Sequence, residues 1–146
     1  MPRIKIELPP DFLFSTTINV RITDINYGGH VGNDSILSII HEARVQYLNS
    51  IGYEELNLDG AGLIMADVMI EFKNELFYGS QVKVFVKASE FSKASFNLYY
   101  KLEALKDNGS NNQLIAVAQT GMVCFDYTRK KVMPIPVTVL SKLSNN

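Results

Sequence analysis

Eleven residues, Asp24-Ile-Asn-Tyr-Gly-Gly-His-Val-Gly-Asn-Asp34, bring together two aspartates, two asparagines, a histidine and three glycines. Glycine lets a backbone turn tightly or approach a ligand closely. A histidine ordinarily titrates near neutrality and can exchange a proton there. The run also ends where a helical pattern begins. The first N–H groups of a helix lack intrahelical acceptors and lie at the positive end of its dipole. They can therefore hold an oxygen that is, or becomes, negative.

Several groups outside the run could also do chemistry. His41, Glu42 and Arg44 follow on the helix, Asp67 falls in a strand candidate, and Cys124 is the single cysteine. Two histidines and one cysteine show no metal-ligand spacing, so no metal is expected. No glycine-rich phosphate loop follows a strand in the required form. Cys124 carries no cue for a lowered pKa and reads as a small apolar residue.

The run must be positioned by the elements around it. Phe14 to Thr23 is rich in Thr, Ile and Val and reads as a strand. From about Ser35 to Ile51, Ile36, Ile40, Ala43 and Tyr47 recur at the spacing of one helix face, and Ile39 and Leu48 widen the stripe. Ser35, Ser38, Glu42, Gln46 and Asn49 line the other side. His41 falls roughly 120° from the stripe's centre, at its edge. Asn33 or Asp34 is the expected N-cap, and Gly52 suits a left-handed C-terminal position. Strands are expected over Leu63–Phe72, Gln81–Glu90, Ser95–Leu105 and Leu114–Tyr127, with turns at 106–112 and 128–131. The tail from Val137 is either a short helix or a surface segment. One long apolar helix can cover one curved, mainly antiparallel sheet, and the remaining edges then favour oligomerisation.

The 146 residues make one domain, 1–146, with room for a core and a pocket. Apolar residues at 47% and charged residues at 20% exclude disorder and coiled coil as global descriptions. A net charge of −1 offers no basic excess for nucleic acid. No signal-peptide pattern or membrane-length apolar run is present, so a cytoplasmic chain without membrane contact is expected.

Val20 to Asn33, with the helix segment His41-Glu-Ala-Arg44, resembles the hot-dog-fold acyl-CoA thioesterases of the 4-hydroxybenzoyl-CoA thioesterase-like group. Val68–Phe72 followed by Tyr78-Gly-Ser-Gln-Val, and Val123-Cys-Phe-Asp126 followed by basic residues and Pro134, are similar to later parts of that family's pattern. The resemblance runs from about Phe14 to Leu143. It implies an α+β hot-dog fold, with one long central helix wrapped by about five strands. It also implies a homodimer or homotetramer with a pocket at a subunit interface. The substrate would be an acyl- or aroyl-CoA, with no cofactor beyond coenzyme A as part of that substrate.

The family's usual catalytic carboxylate falls at Asn26, and an amide cannot act as a carboxylate base or nucleophile. By resemblance, the Asn33 amide is aimed at the thioester carbonyl, with Gly29, His30 and Asp34 beside it, and Asn26 orients thioester and water. Relatives lacking the loop aspartate carry a carboxylate about eight residues past that amide. Here that residue is His41, with Glu42 as the alternative base. His30 either lines the pocket or locks the loop, and Asp24 suits an anchor of the same turn. Phe85, Phe91, Phe96, Tyr99 and Tyr100 could shape an acyl pocket, though core packing is the simpler reading. Lys93 and Arg129-Lys130-Lys131 could meet coenzyme A phosphates. Two other functions stay open. A non-catalytic acyl-CoA-binding protein is suggested by Asn26. A hot-dog hydratase or dehydratase fits less well, because Asp24 and His30 are separated by five residues rather than four.

Overall fold

The computed structural model describes residues 3–106 and 111–146. The strands are β1 (Phe14–Asn19), β2 (Gly62–Phe72), β3 (Gln81–Ser89), β4 (Ser95–Ala104), β5 (Gln113–Asp126) and the two-residue β6 (Lys131–Val132). Helix α1 spans Asn33–Ser50 and α2 spans Val137–Ser144. The sheet order is β1-β3-β4-β5-β2, with β6 added to the end of β5, and every pairing is antiparallel. This is the hot-dog arrangement. The chain leaves one sheet edge at β1, crosses as α1 and returns at the other edge as β2.

Alternation along β3 and β4 explains how the sheet holds the helix. Val82, Val84, Val86 and Ala88 are buried on one face, together with Phe96, Leu98, Tyr100 and Leu102. Against them α1 buries Ile36, Ile39, Ile40, Ala43, Tyr47 and Leu48. The Tyr47 ring meets Phe14 of β1 edge-on, centroids 5.4 Å apart. Burying each Val, Leu, Ile or Phe among these contributes about 1.5–3 kcal/mol.

The helix ends as its sequence demands. Gly52 takes φ +90°, Tyr53 N–H donates to the Leu48 carbonyl and Gly52 N–H to that of Asn49. That double bond pattern closes the last turn. Its start differs from expectation. The N-cap is Gly32 rather than Asn33 or Asp34, and no side chain caps the helix. A tight turn leads directly into the first helical residue, so both candidate caps fall inside the helix. The tail does form a short helix, with Val139 and Leu143 buried. The expected turn at 106–112 lies partly outside the described residues.

The outward face of the sheet has its own cover. Phe12 packs edge-on against Phe85, 6.0 Å between centroids, and the Lys101 ammonium lies over both rings. Farther back along the lead, the Ile6 N–H donates to Glu71 of β2. Contacts to β3 and to β2 carry residues 6–12 over the strands between them, where Tyr99 and Val117 are buried. No helix among the described residues is long and apolar enough to cross a membrane.

Candidate active site

The loop before α1 is closed by its own backbone. Asn26 N–H donates to the His30 carbonyl at 2.8 Å, and Gly29 N–H to the Asn26 carbonyl at 3.1 Å. The Asn26 Oδ1 accepts the Gly28 N–H at 2.8 Å, an Asx turn. Gly29 sits at φ +85°, a conformation few side chains tolerate. Asp24 is buried; its carboxylate accepts the Arg21 N–H at 2.8 Å, and its carbonyl accepts the Gly32 N–H at 3.0 Å. Asp24 is thus the anchor of the turn. Gly32 is needed for space: a Cβ there would lie 2.6 Å from Asp34 Oδ1 and 3.4 Å from Asn26 Cβ.

One further bond, Val31 N–H to the Leu76 carbonyl at 2.8 Å, ties this loop to the link between β2 and β3. The two segments and the first turn of α1 enclose a cavity of about 230 Å³. His30, Asn33, Ile36, Phe72, Glu75 and Ile115 form much of its wall. A more open groove of about 660 Å³ adjoins it, sharing Phe72 and Lys73 and bordered by Arg3, Lys5 and Glu71. The Ile6 N–H and the Lys73 ammonium, at 2.9 Å, hold the Glu71 carboxyl below its ordinary pKa.

Of the residues singled out from sequence, His30 and Asn33 line the cavity. His30 both faces the cavity and holds the loop: its Nδ1 lies 3.2 Å from the Val31 carbonyl oxygen and its Nε2 3.8 Å from Glu75 Oε1. Asn26, Gly29 and Asp34 belong to the same loop and first helical turn but do not form the wall. His41 and Glu42 are not brought to this cavity. His41 is 55% exposed and pairs with Glu55 at 3.4 Å, and the exposed Glu42 accepts from Gln46 at 3.2 Å.

Arg44 is buried, with Nε 2.6 Å from Glu55 and Nη1 3.4 Å from the Tyr100 hydroxyl, which in turn lies 2.8 Å from Thr120 Oγ1. Burial opposes its charge, but Tyr100 and Glu55 outweigh that and raise its pKa. Burial likewise pushes the Tyr100 phenol up and the Cys124 thiol to about 11, so Cys124 is no nucleophile at neutral pH. The expected strand aspartate, Asp67, is exposed and accepts the Gly121 N–H at 3.0 Å beside a β-bulge.

None of Phe85, Phe91, Phe96, Tyr99 and Tyr100 lines the cavity. Phe96 and Tyr100 are core residues and Tyr99 is buried on the outward face. Lys93 and residues 129–131 lie toward the far end of β5 from Ile115, roughly 30 Å away at strand rise. They cannot meet a ligand of this cavity within one chain. Sequence reading missed Phe72, Lys73, Glu75, Leu76 and Ile115. Nothing local marks them; the Val31–Leu76 bond ties the link to the loop, and the Lys73 and Asn74 N–H groups, donating to the Ile115 carbonyl, tie it to β5.

Among the described residues, no three His, Cys, Asp or Glu side chains gather as a metal-holding group. No curated protein sequence matches the chain. Solved structures share its fold. A 1,4-dihydroxy-2-naphthoyl-CoA thioesterase from Synechocystis superposes with TM-score 0.79 at 23% identity, covering 90% of this chain and 96% of that one. An Asp→Asn mutant of 4-hydroxybenzoyl CoA thioesterase, complexed with 4-hydroxybenzoyl CoA, gives 0.79 at 16% identity, covering 89% and 97%. A thioesterase from Thermus thermophilus, complexed with coenzyme A and Zn, gives 0.77 at 20% identity, covering 91% and 98%. The sequence profile of the thioesterase-like superfamily matches residues 20–143, a span that takes in the loop, α1 and strands β2 to β5. By that match, and with the hot-dog fold its strand order displays, the chain belongs to the thioesterase-like superfamily.

Proposed function

We propose that the protein is an acyl-CoA thioesterase, hydrolysing an acyl- or aroyl-CoA to free acid and coenzyme A. The observation that carries this reading is the cavity at the first turn of α1, with Asn33 in its wall. The opening N–H groups of α1 are donors of the kind that suits a thioester oxygen becoming negative as water adds. The cavity, at about 230 Å³, is smaller than the roughly 300–1,000 Å³ of sites that hold a whole ligand. It suits the acyl group alone, with the carrier outside. The adjoining groove, bordered by Arg3, Lys5 and Lys73, suits the phosphates of coenzyme A. Named relatives of the same fold act on, or are complexed with, CoA thioesters of aromatic acids, which supports an aroyl group among the candidates. No cofactor beyond the substrate's own coenzyme A is needed. The buried free thiol of Cys124 suits the cytoplasm.

Asn26 positions the loop and cannot take a proton from water. His41 lies eight residues beyond Asn33, about 12 Å along the helix. A base must stand within about 3 Å of its proton. His41 and Glu42 therefore reach a thioester only in the cavity of a second subunit.

The test is free-thiol release from a panel of acyl-CoAs, from short to long chains plus benzoyl- and phenylacetyl-CoA. Turnover of at least one member is expected. A second reading, an acyl-CoA-binding protein without turnover, is favoured by the amide at Asn26. Binding of panel members with no thiol release would establish it in place of the first.

A further inference from the structure

We propose that Glu75 is the general base of this site and that His30 is the residue positioning it. The assignment rests on the thioesterase reading. It begins with what the cavity wall contains. Its titratable side chains are His30, Lys73 and Glu75. Lys73 is held in an ion pair with Glu71 at 2.9 Å. Among the described residues Glu75 is the one carboxylate of the wall, and it shares that wall with Asn33, whose backbone opens α1. Asn26, in the neighbouring loop, is an amide whose Oδ1 accepts the Gly28 N–H and which cannot take a proton from water. Glu75 supplies, from the link between β2 and β3, a carboxylate proton acceptor in the wall.

The backbone beside it is fixed, and His30 faces its carboxylate. The neighbouring Leu76 carbonyl accepts the Val31 N–H at 2.8 Å, which fixes the link against the loop. His30 stands 3.8 Å from the carboxylate through Nε2, while its Nδ1 lies 3.2 Å from the Val31 carbonyl oxygen. The Val31 carbonyl beside Nδ1 orients the ring, and Nε2 faces the Glu75 carboxylate. Glu75 keeps 63% of its side-chain surface exposed, so water reaches it.

The chemistry balances without a further reactant. Glu75 takes a proton from water as the water oxygen bonds to the thioester carbon. The carbonyl electron pair moves to oxygen, facing the N–H groups that open α1. Collapse re-forms the carbonyl and breaks the C–S bond. The coenzyme A thiolate leaves, and the proton held by Glu75 passes to it. The acid, the thiol and the original carboxylate remain.

Glu75→Gln removes the base and keeps the shape. With the acyl-CoA that the wild type turns over fastest, kcat is expected to fall at least about a hundredfold with KM changed less than about threefold. Glu75→Asp is expected to recover part of kcat, because the carboxylate is restored on a shorter stem. His30→Gln is expected to lower kcat less than Glu75→Gln does. Glu75 is exposed and His30 half-buried, and matching melting curves show that the variants fold. A Glu75→Gln kcat within about twofold of wild type overturns the assignment while leaving the thioesterase reading intact. So does a loss confined to His41→Ala, which places the base on the helix of a neighbouring subunit. A wild type that releases no thiol from any panel member overturns both.

Discussion

The side-chain carbonyl of Asn26 accepts the Gly28 N–H, and that contact sets what substitutions there can do. An aspartate can accept the same bond, whereas alanine cannot. Asn26→Ala is expected to lose about 1 kcal/mol of stability, the net worth of one such bond. Turnover falls with it, because His30 and Asn33 both hang on the loop that Asn26 closes. Asn26→Asp is expected to hold stability within about 0.5 kcal/mol. Urea unfolding and thiol release on the three proteins check both statements; equal stability of the alanine and aspartate variants would show that the Asx turn is dispensable. At this scale the sequence was only partly legible. The residues of the Asp24–Asp34 loop were visible because glycines and Asx residues cluster there. Glu75 was not, since a single glutamate in a charged link looks like any solvated one.

Helix α1 carries two different kinds of information. Its apolar stripe is periodic and was readable, and all six residues assigned to it are buried. Its polar residues have partners in other elements, and periodicity says nothing about those. Arg44 lies within the buried face because Glu55, from the segment after the helix, and Tyr100, from β4, meet it there. Removing Arg44 leaves the Glu55 carboxylate without its guanidinium and the Tyr100 hydroxyl with Thr120 alone. Breaking a buried ion pair typically costs about 3–5 kcal/mol. Glu55 keeps 26% of its surface in water, so Arg44→Met is expected to fall at the lower end, about 3 kcal/mol. Urea unfolding at pH 7 measures this, and a loss below about 1 kcal/mol would mean that water solvates Glu55 freely.

At the scale of the molecule, the sheet has an edge to manage. β2 is eleven residues long, pairs with β5 on one side and ends the sheet on the other. Phe72 at its end is 53% exposed, and Phe77 and Tyr78 in the following link are 50% and 61% exposed. A long unpaired edge with apolar side chains beside it invites pairing with another chain. The expected state in solution is therefore a dimer or a higher homo-oligomer, measured by light scattering at micromolar concentration. A monomer at that concentration would contradict it. It would also remove the only route by which His41 or Glu42 could reach a thioester.

The sequence by itself determined most of the elements, because strand and helix periods are local and strong: alternating Val82 to Ala88, the stripe Ile36 to Leu48, the glycine at 52. The strand expected over Phe14–Thr23 instead ends at Asn19, and Ile22–Asp24 form a 3-10 turn, because the Asp24 carboxylate takes the Arg21 N–H and the Asp24 N–H donates to the Arg21 carbonyl. The sequence also determined the family pattern around the loop, because that pattern is contiguous. Only the tertiary structure decided which residues share the cavity. Leu76 bonds to Val31 across forty-five residues of chain, and Glu75 lies beside His30 next to that contact. It likewise decided that Gly32 caps α1, that the lead from Ile6 to Phe12 covers the outward face, and that His41 faces Glu55 rather than the cavity. Each of these depends on contacts between segments far apart in the chain, and no local spacing encodes such a contact.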